Sequence, residues 1–302
     1  MVFYALLLIT LIVAALSLFV LDRAFLKHYN ISPTHLFLAT SVAIFIYLYG
    51  VWVYLSVYLK YIFVILFIIT LIIKISSKRG NERTVALATK LLNGVFGLLF
   101  LALSVLYFTG ILGKTPTVNM VFPFKKGTYF VLQGGKGLPA NMFHYSYRGA
   151  VYAMDIAKLN KYGNRASSVF SEKLTDYEIY NDTIYSPCNG TVIMSRDNNP
   201  DNIPPSRERG PSNTNSVTIQ TPSYYLFMAH LGYKKVFVRE GDTIAIGDPI
   251  GLVGNSGFTL EPHLHLQAHR NTKHNLEWYQ EKPLFIQFES KEYLLFETIE
   301  KN

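Results

Sequence analysis

Two histidines stand two residues apart in Pro262-His263-Leu264-His265-Leu266, inside a run that alternates apolar and polar residues. On a β-strand such residues share a face, so both imidazoles can converge on one point, which is a metal-site geometry. The same pair also occurs as ordinary surface or structural histidines and needs companions to mean more. Asp155, between Ala153-Met154 and Ile156-Ala157, reads as a carboxylate on a buried strand. Unpaired it is costly there; a bound cation is one good partner and a buried Arg the other. His230, in Phe227-Met-Ala-His-Leu, has equally apolar neighbours, and alone it reads as a satisfied core histidine. His269 and His274 fall in a polar stretch and read as surface residues.

These residues need strands to hold them. From Thr115 onward, short β-branched and aromatic runs are divided by turn signals such as Gly134-Gly135, Asn189-Gly190 and Gly241-Asp242, which predicts an all-β, mainly antiparallel domain. Strands are expected at 191–194, 216–221, 224–228, 235–238 and 249–253. Residues 196–215, with four prolines, are expected to form a long surface loop. Residues 238–257 (VREGDTIAIGDPIGLVGNSG) read as a tight β-meander. Lipoyl and biotinyl carriers share that rhythm, but no lysine lies between Lys235 and Lys273 to be modified. Cys188, the sole cysteine, excludes an intrachain disulfide and CxxC metal sites, and without a basic neighbour it reads as a packed thiol.

The first third differs in kind. Residues 2–21 form an apolar run long enough to cross ~30 Å of hydrocarbon, and Arg23 and Lys27 follow it rather than precede it, which fits a retained anchor better than a cleaved signal. Residues 36–73 are apolar except for Lys60, enough for two spans of roughly 18 residues each, and 91–113 make a last one. The expectation is a multi-pass membrane region at 1–113 with about four helices, or three if 36–50 lies at the interface, followed by a domain at 114–302. Lys74, Lys78, Arg79, Arg83 and Lys90 against Glu82 alone place the last loop in the cytoplasm, so the final span delivers the domain outside. Lys60 is the one mid-span ionisable residue, so the spans read as an anchor in the lipid bilayer rather than a transport path.

Composition agrees: half of the 302 residues are apolar and 16% are charged, against ~25% in soluble domains. The net charge of +8 forms no basic stripe interleaved with exposed aromatics, so nucleic acid is not an expected partner.

Taken in order, AMDIA, SPCNGTV, FMAHL, VREGDTIAIGDPIGLVGNSG and EPHLHLQ resemble the lysostaphin-type zinc endopeptidases, peptidase family M23, over residues 141–268. The resemblance implies a compact antiparallel β fold that holds one Zn2+ and cuts peptide bonds in bacterial peptidoglycan cross-links. Position by position, Asp155 and His265 match metal ligands, and His230 and His263 match the catalytic histidines. The family's usual histidine four residues before the aspartate is here Val151, which cannot bind zinc. His144, in Asn141-Met-Phe-His-Tyr, belongs to a pattern of NxxH ahead of YAxD that looks like a variant of the family, and it is the expected third ligand. No HExxH occurs, which excludes a thermolysin-type site.

The function expected on this basis is a zinc metalloendopeptidase of the bacterial cell membrane acting on cell-wall peptide. The alternative, prompted by Val151, is a catalytically silent M23-like domain that binds peptidoglycan or regulates another wall hydrolase. A third possibility is cleavage of a membrane or secreted protein.

Overall fold

The structure, a computed structural model, describes residues 2–25, 31–76, 84–111, 115–146, 149–206, 210–272 and 277–302. The chain divides into two compact units, Met1–Phe108 and Thr109–Asn302.

In the first unit, apolar runs without internal breakers form helices α1 (Val2–Ala24), α2 (Pro33–Tyr49), α3 (Tyr58–Ser76) and α4 (Leu87–Thr109). Pro33 begins α2, where a missing N–H costs nothing. Among the described residues, three helices are by length and composition able to cross a membrane: Tyr4–Ala24, Tyr58–Ser76 and Leu87–Thr109. The expected fourth, α2, has 17 residues, short of the ~20 that an untilted span needs. Small residues allow close packing, with Ala14 and Ala43 beside Ile46, Trp52 and Phe63, and Ala24 and Ala39 beside Leu21 and Phe25. Leu8, Ile65, Ile69, Leu91 and Leu98 remain exposed on the outer faces, as lipid-facing side chains would. Lys60 lies buried in the first turn of α3, its ammonium facing the rings of Tyr47 and Tyr61 at 5.4 and 5.1 Å. Of the expected cytoplasmic loops, Lys27, His28, Lys78, Arg79, Glu82 and Arg83 lie outside the described residues.

The second unit is a β domain whose strands, among the described residues, are β1 (Thr117–Met120), β2 (Gly127–Gln133), β3 (Met154–Leu159), β4 (Thr183–Tyr185), β5 (Gly190–Arg196), β6 (Ser216–Gln220) and β7 (Tyr224–Ala229), then β8 (Leu231–Val236), β9 (Thr243–Ile244), β10 (Pro249–Val253), β11 (Leu264–Arg270), β12 (Pro283–Phe288) and β13 (Thr298–Lys301). One short helix, α5 (Met142–Tyr145), precedes β3. The large sheet runs β13-β2-β3-β11-β7-β6-β5-β9, with β12 on β11 and β1 on β12; β4, β10 and β8 form a small second sheet. All pairs are antiparallel except β1 with β12.

Alternation sorts the faces. Met154, Ile156, Leu226, Met228, Leu264, Leu266 and Ala268 enter one apolar core with Val217 and Ile219, leaving Asp155, Phe227, His265, Gln267 and His269 on the opposite face of the central strands.

Two expectations are corrected. The strand placed at 235–238 runs Leu231–Val236, starting directly after His230, whose φ of 66° ends β7 and turns the chain from the large sheet to the small one. Residues 238–257 are not a meander, because β9 pairs with β5 while β10 pairs with β4 and β8. The loop between β5 and β6 is confirmed, but it is packed rather than merely superficial: Asn202 and Asn215 are buried, with Asn202 bonded through its N–H to the Asn255 carbonyl.

Cys188 is a free, buried thiol, and burial pushes its pKa up to about 11, only partly offset by hydrogen bonds to Tyr224 and Ser186. Since the thiolate is the reactive form, the folded full chain at pH 8 is expected to resist Ellman's reagent and to release one thiol equivalent in denaturant. Full reaction of the native chain within seconds would contradict this packing.

Candidate metal centre

The site forms where β3, β11 and β7 lie side by side. Register places Asp155 opposite His265 and Ala229 on His265's other flank, so residues from three distant stretches meet across adjacent strands. His230 follows β7 immediately in its left-handed conformation, a strained state for a residue with a side chain and one that concentrates at functional sites. His263 precedes β11 by one residue. His144 reaches the same point from α5.

All five expected residues come together and are buried. Asp155 Oδ2 lies 3.3 Å from His144 Nε2, and Oδ1 lies 2.9 Å from His265 Nδ1 and 3.5 Å from His263 Nε2. The His230 ring sits 4.6 Å from that of His263 and 5.8 Å from that of His265. One ligand atom each from His144, Asp155 and His265 falls within 4.8 Å of the others. The partner of Asp155 is therefore a cluster of imidazoles and not a buried arginine. Two imidazoles and a carboxylate, water-shielded and converging, are a donor set that fits a divalent transition metal such as zinc with an open fourth position.

Electrostatics separates the histidines. Burial would raise the pKa of Asp155, but the charges and hydrogen bonds of His144 and His263 outweigh it and hold the carboxyl well below the usual range. Burial, reinforced by the charges of His263 and His265, drives His230 well below an ordinary histidine. His265 is lowered by burial, against the pull of Asp155. For His263 burial also works against the cation, but Asp155, the Glu261 carbonyl and the Glu261 carboxylate together raise its pKa. Backbone carbonyls fix both proton carriers: His263 Nδ1 donates to Glu261 O at 2.8 Å and His230 Nδ1 to Ser256 O at 2.8 Å. Carbonyls only accept, so in the neutral rings Nε2 carries the free lone pair.

Several contributors escape sequence reading. Arg165 clamps Glu261 through two bonds of 2.7 and 2.6 Å, both side chains nearly water-free, and so anchors the loop that orients His263. His269 is corrected from surface to buried: on the site's face of β11 it is fully covered, between Tyr225 and Pro283, with the Trp278 ring 5.3 Å away. The strict alternation His263-Leu-His265-Leu-Gln267-Ala-His269 was the signal that could have placed Gln267 and His269 on the site's face. His274 lies outside the described residues.

Residues 172–276 match the sequence model of Peptidase family M23, a stretch that includes His230, His263 and His265. The chain thus resembles that family, as its ordered motifs indicated. An uncharacterized metalloprotease of Buchnera aphidicola subsp. Baizongia pistaciae is 39% identical over 54 residues, 18% of this chain and 14% of that protein. The chain spans about a seventh of the length of that relative. Among solved structures, the catalytic domain of the antimicrobial peptidase lysostaphin from Staphylococcus simulans is similar at 18% identity, covering 49% of this chain and 82% of its own, with a TM-score of 0.27. A zinc-containing peptidase from Vibrio cholerae is similar at 16% identity, covering 57% and 39%, with a TM-score of 0.29.

Removing Arg165 strands a buried carboxylate. Arg165→Ala is expected to lower stability by about 3–5 kcal/mol, read from guanidinium unfolding of the full chain in detergent with Cys188 exposure as the probe. A loss below ~1 kcal/mol would show that Glu261 finds water or another partner.

Proposed function

We propose that the chain is a membrane-anchored zinc endopeptidase that hydrolyses peptide bonds in peptidoglycan cross-links. The observation that carries this reading is the convergence of His144, Asp155 and His265 on one buried point, with two further histidines beside it. His144, Asp155 and His265 would hold the ion. Bound there, zinc supplies a Lewis acid that polarises the scissile carbonyl and lowers the pKa of a water toward ~7.

The remaining work falls to the protein. His230, kept neutral by burial, accepts a proton at Nε2, while its Nδ1–H stays tied to Ser256 O. His263 presents Nε2 to the same space with Nδ1–H held by Glu261 O, and its raised pKa suits it to stabilise developing negative charge and to hand a proton to the leaving amine. Two like groups with pKa values displaced in opposite directions form a natural base and acid pair.

The three spanning-length helices support an anchor in a bacterial plasma membrane, and the lysine- and arginine-rich loop between α3 and α4 supports a cytoplasmic loop and an external β domain. Tethering would confine cleavage to peptidoglycan near the bilayer. Val151 at a usual ligand position once favoured a silent binding or regulatory module; His144 beside Asp155 supplies the donor that this reading lacks.

About one zinc per full chain in detergent is expected by elemental mass spectrometry after dialysis, and far less in His144→Ala. Release of peptide ends from purified peptidoglycan should stop in chelator, resume with zinc, and fall ~10²–10⁴-fold in His230→Ala or His263→Ala with zinc retained. Zinc bound without turnover would favour the silent module, and a folded chain without zinc would end the metal reading. In intact spheroplasts, added protease should remove an epitope placed after Asn302; survival until lysis would put the domain in the cytoplasm.

A further inference from the structure

Two side-chain amides stand behind the proposed metal ligands, and their orientations are not free. Asn141 is fully buried, and its Nδ2 donates to the carbonyls of Val151 at 3.2 Å and Ala153 at 2.8 Å. Carbonyls cannot donate, so the amide cannot be turned round without two acceptor–acceptor contacts. Its Oδ1 therefore faces His144 Nδ1, at 2.9 Å, and that nitrogen must carry the hydrogen. Nε2, the atom 3.3 Å from Asp155 Oδ2, is then the nitrogen that His144 would offer to a cation.

Gln267 is held by the same logic. Its Nε2 donates to Gly149 O at 3.1 Å and to His269 Nε2 at 2.6 Å. His269 in turn must donate from Nδ1 to the Glu281 carbonyl at 2.7 Å, and burial disfavours its cation, so its Nε2 is the accepting nitrogen. Gln267 Oε1 consequently faces His265 Nε2 at 3.3 Å, so that nitrogen keeps a hydrogen, and Nδ1, hydrogen-bonded to Asp155 Oδ1 at 2.9 Å, is the nitrogen His265 would give up to a cation.

We infer that Asn141 and Gln267 are positioning residues that hold a hydrogen on His144 Nδ1 and on His265 Nε2, so that the nitrogens each ring turns to the two oxygens of Asp155, Nε2 of His144 and Nδ1 of His265, are the ones given up to a cation. This rests on the metal reading above and adds its selection device. Hydrogen bonds behind ligating histidines typically change metal affinity 10–100-fold. The arrangement also accounts for Val151: the position that lost a ligand still contributes, through its carbonyl, to orienting the ligand that replaces it. Gly149 belongs to the same device, because its φ of +86° and the 2.7 Å gap a Cβ would leave to Tyr279 O restrict that corner to glycine.

The test uses the full chain in detergent, with Cys188 protection as the check on folding. Gln267→Leu is expected to weaken zinc binding, measured by chelator competition, 10–100-fold, while Gln267→Glu, which keeps an acceptor toward His265 Nε2, recovers most of the affinity. In the metal-free parent, long-range proton–nitrogen NMR with labelled histidine should find a hydrogen on His265 Nε2, and in Gln267→Leu on Nδ1 alone, donated to Asp155. A parent that binds zinc while Gln267→Leu binds it equally well overturns the inference and spares the metal reading. A parent with the His265 hydrogen on Nδ1 alone overturns the inference whatever the zinc result. A folded parent that binds no zinc overturns the metal reading by itself.

Discussion

Asp155 is a carboxylate only 7% exposed, in the middle of the central strands, and everything around it follows from the need to compensate that charge. Leaving a buried anion unpaired costs several kcal/mol, yet no lysine or arginine side chain is seen at it among the described residues. The buried guanidinium nearest in sequence logic, Arg165, is committed to Glu261. What surrounds Asp155 is three imidazoles, groups that can be charged, neutral or coordinating. A sheet that brings β3, β11 and β7 together therefore has one position whose occupancy decides the protonation of all its neighbours.

The strands that carry this position were readable because period two is strong where one face is buried. Asp155 between Met154 and Ile156, and His265 between Leu264 and Leu266, sit in patterns that admit only one orientation relative to the core. Pairing across the sheet was less legible. Nothing local announces that His265 lies opposite Asp155, 110 residues away, and only the resemblance carried by several motifs in order joined them. Errors arose where local signals were silent about tertiary cover. His269 is followed by the polar residues Arg270-Asn271-Thr272 in sequence, but β12 and Trp278 pack beside it. The end of β7 was set by a left-handed His230, a conformation that side-chain chemistry does not advertise. The apparent meander failed because turn residues reveal reversals of the chain, not which sheet the next strand joins.

In the helical unit, hydropathy located the four described helices, three of which have spanning length. Composition is nearly uniform across 36–73, so the break depends on packing: the chain turns at Gly50, Trp52 Nε1 donates to Ile46 O, and α3 resumes at Tyr58. The ion pair of Lys74 with Asp22 then joins the ends of α3 and α1.

Four histidines of the site share one chemical identity, and the protein differentiates them by what lies behind each ring. His230 and His263 rest directly on backbone carbonyls, whereas His144 and His265 rest on carboxamides that are themselves fixed by Val151, Ala153 and Gly149 carbonyls and by His269. A carbonyl keeps a hydrogen on the nitrogen it accepts from and leaves the opposite nitrogen to do the chemistry, and a clamped amide does the same at whichever nitrogen the geometry requires. For His265 that nitrogen is Nδ1, which a backbone carbonyl accepting from Nδ1 would have blocked. The intermediate amide is thus what permits one ring of the HxH pair to face Asp155 through Nδ1 and the other through Nε2. Two histidines two residues apart, one just before β11 and one on it, can then hold separate tasks without any difference in the residues themselves.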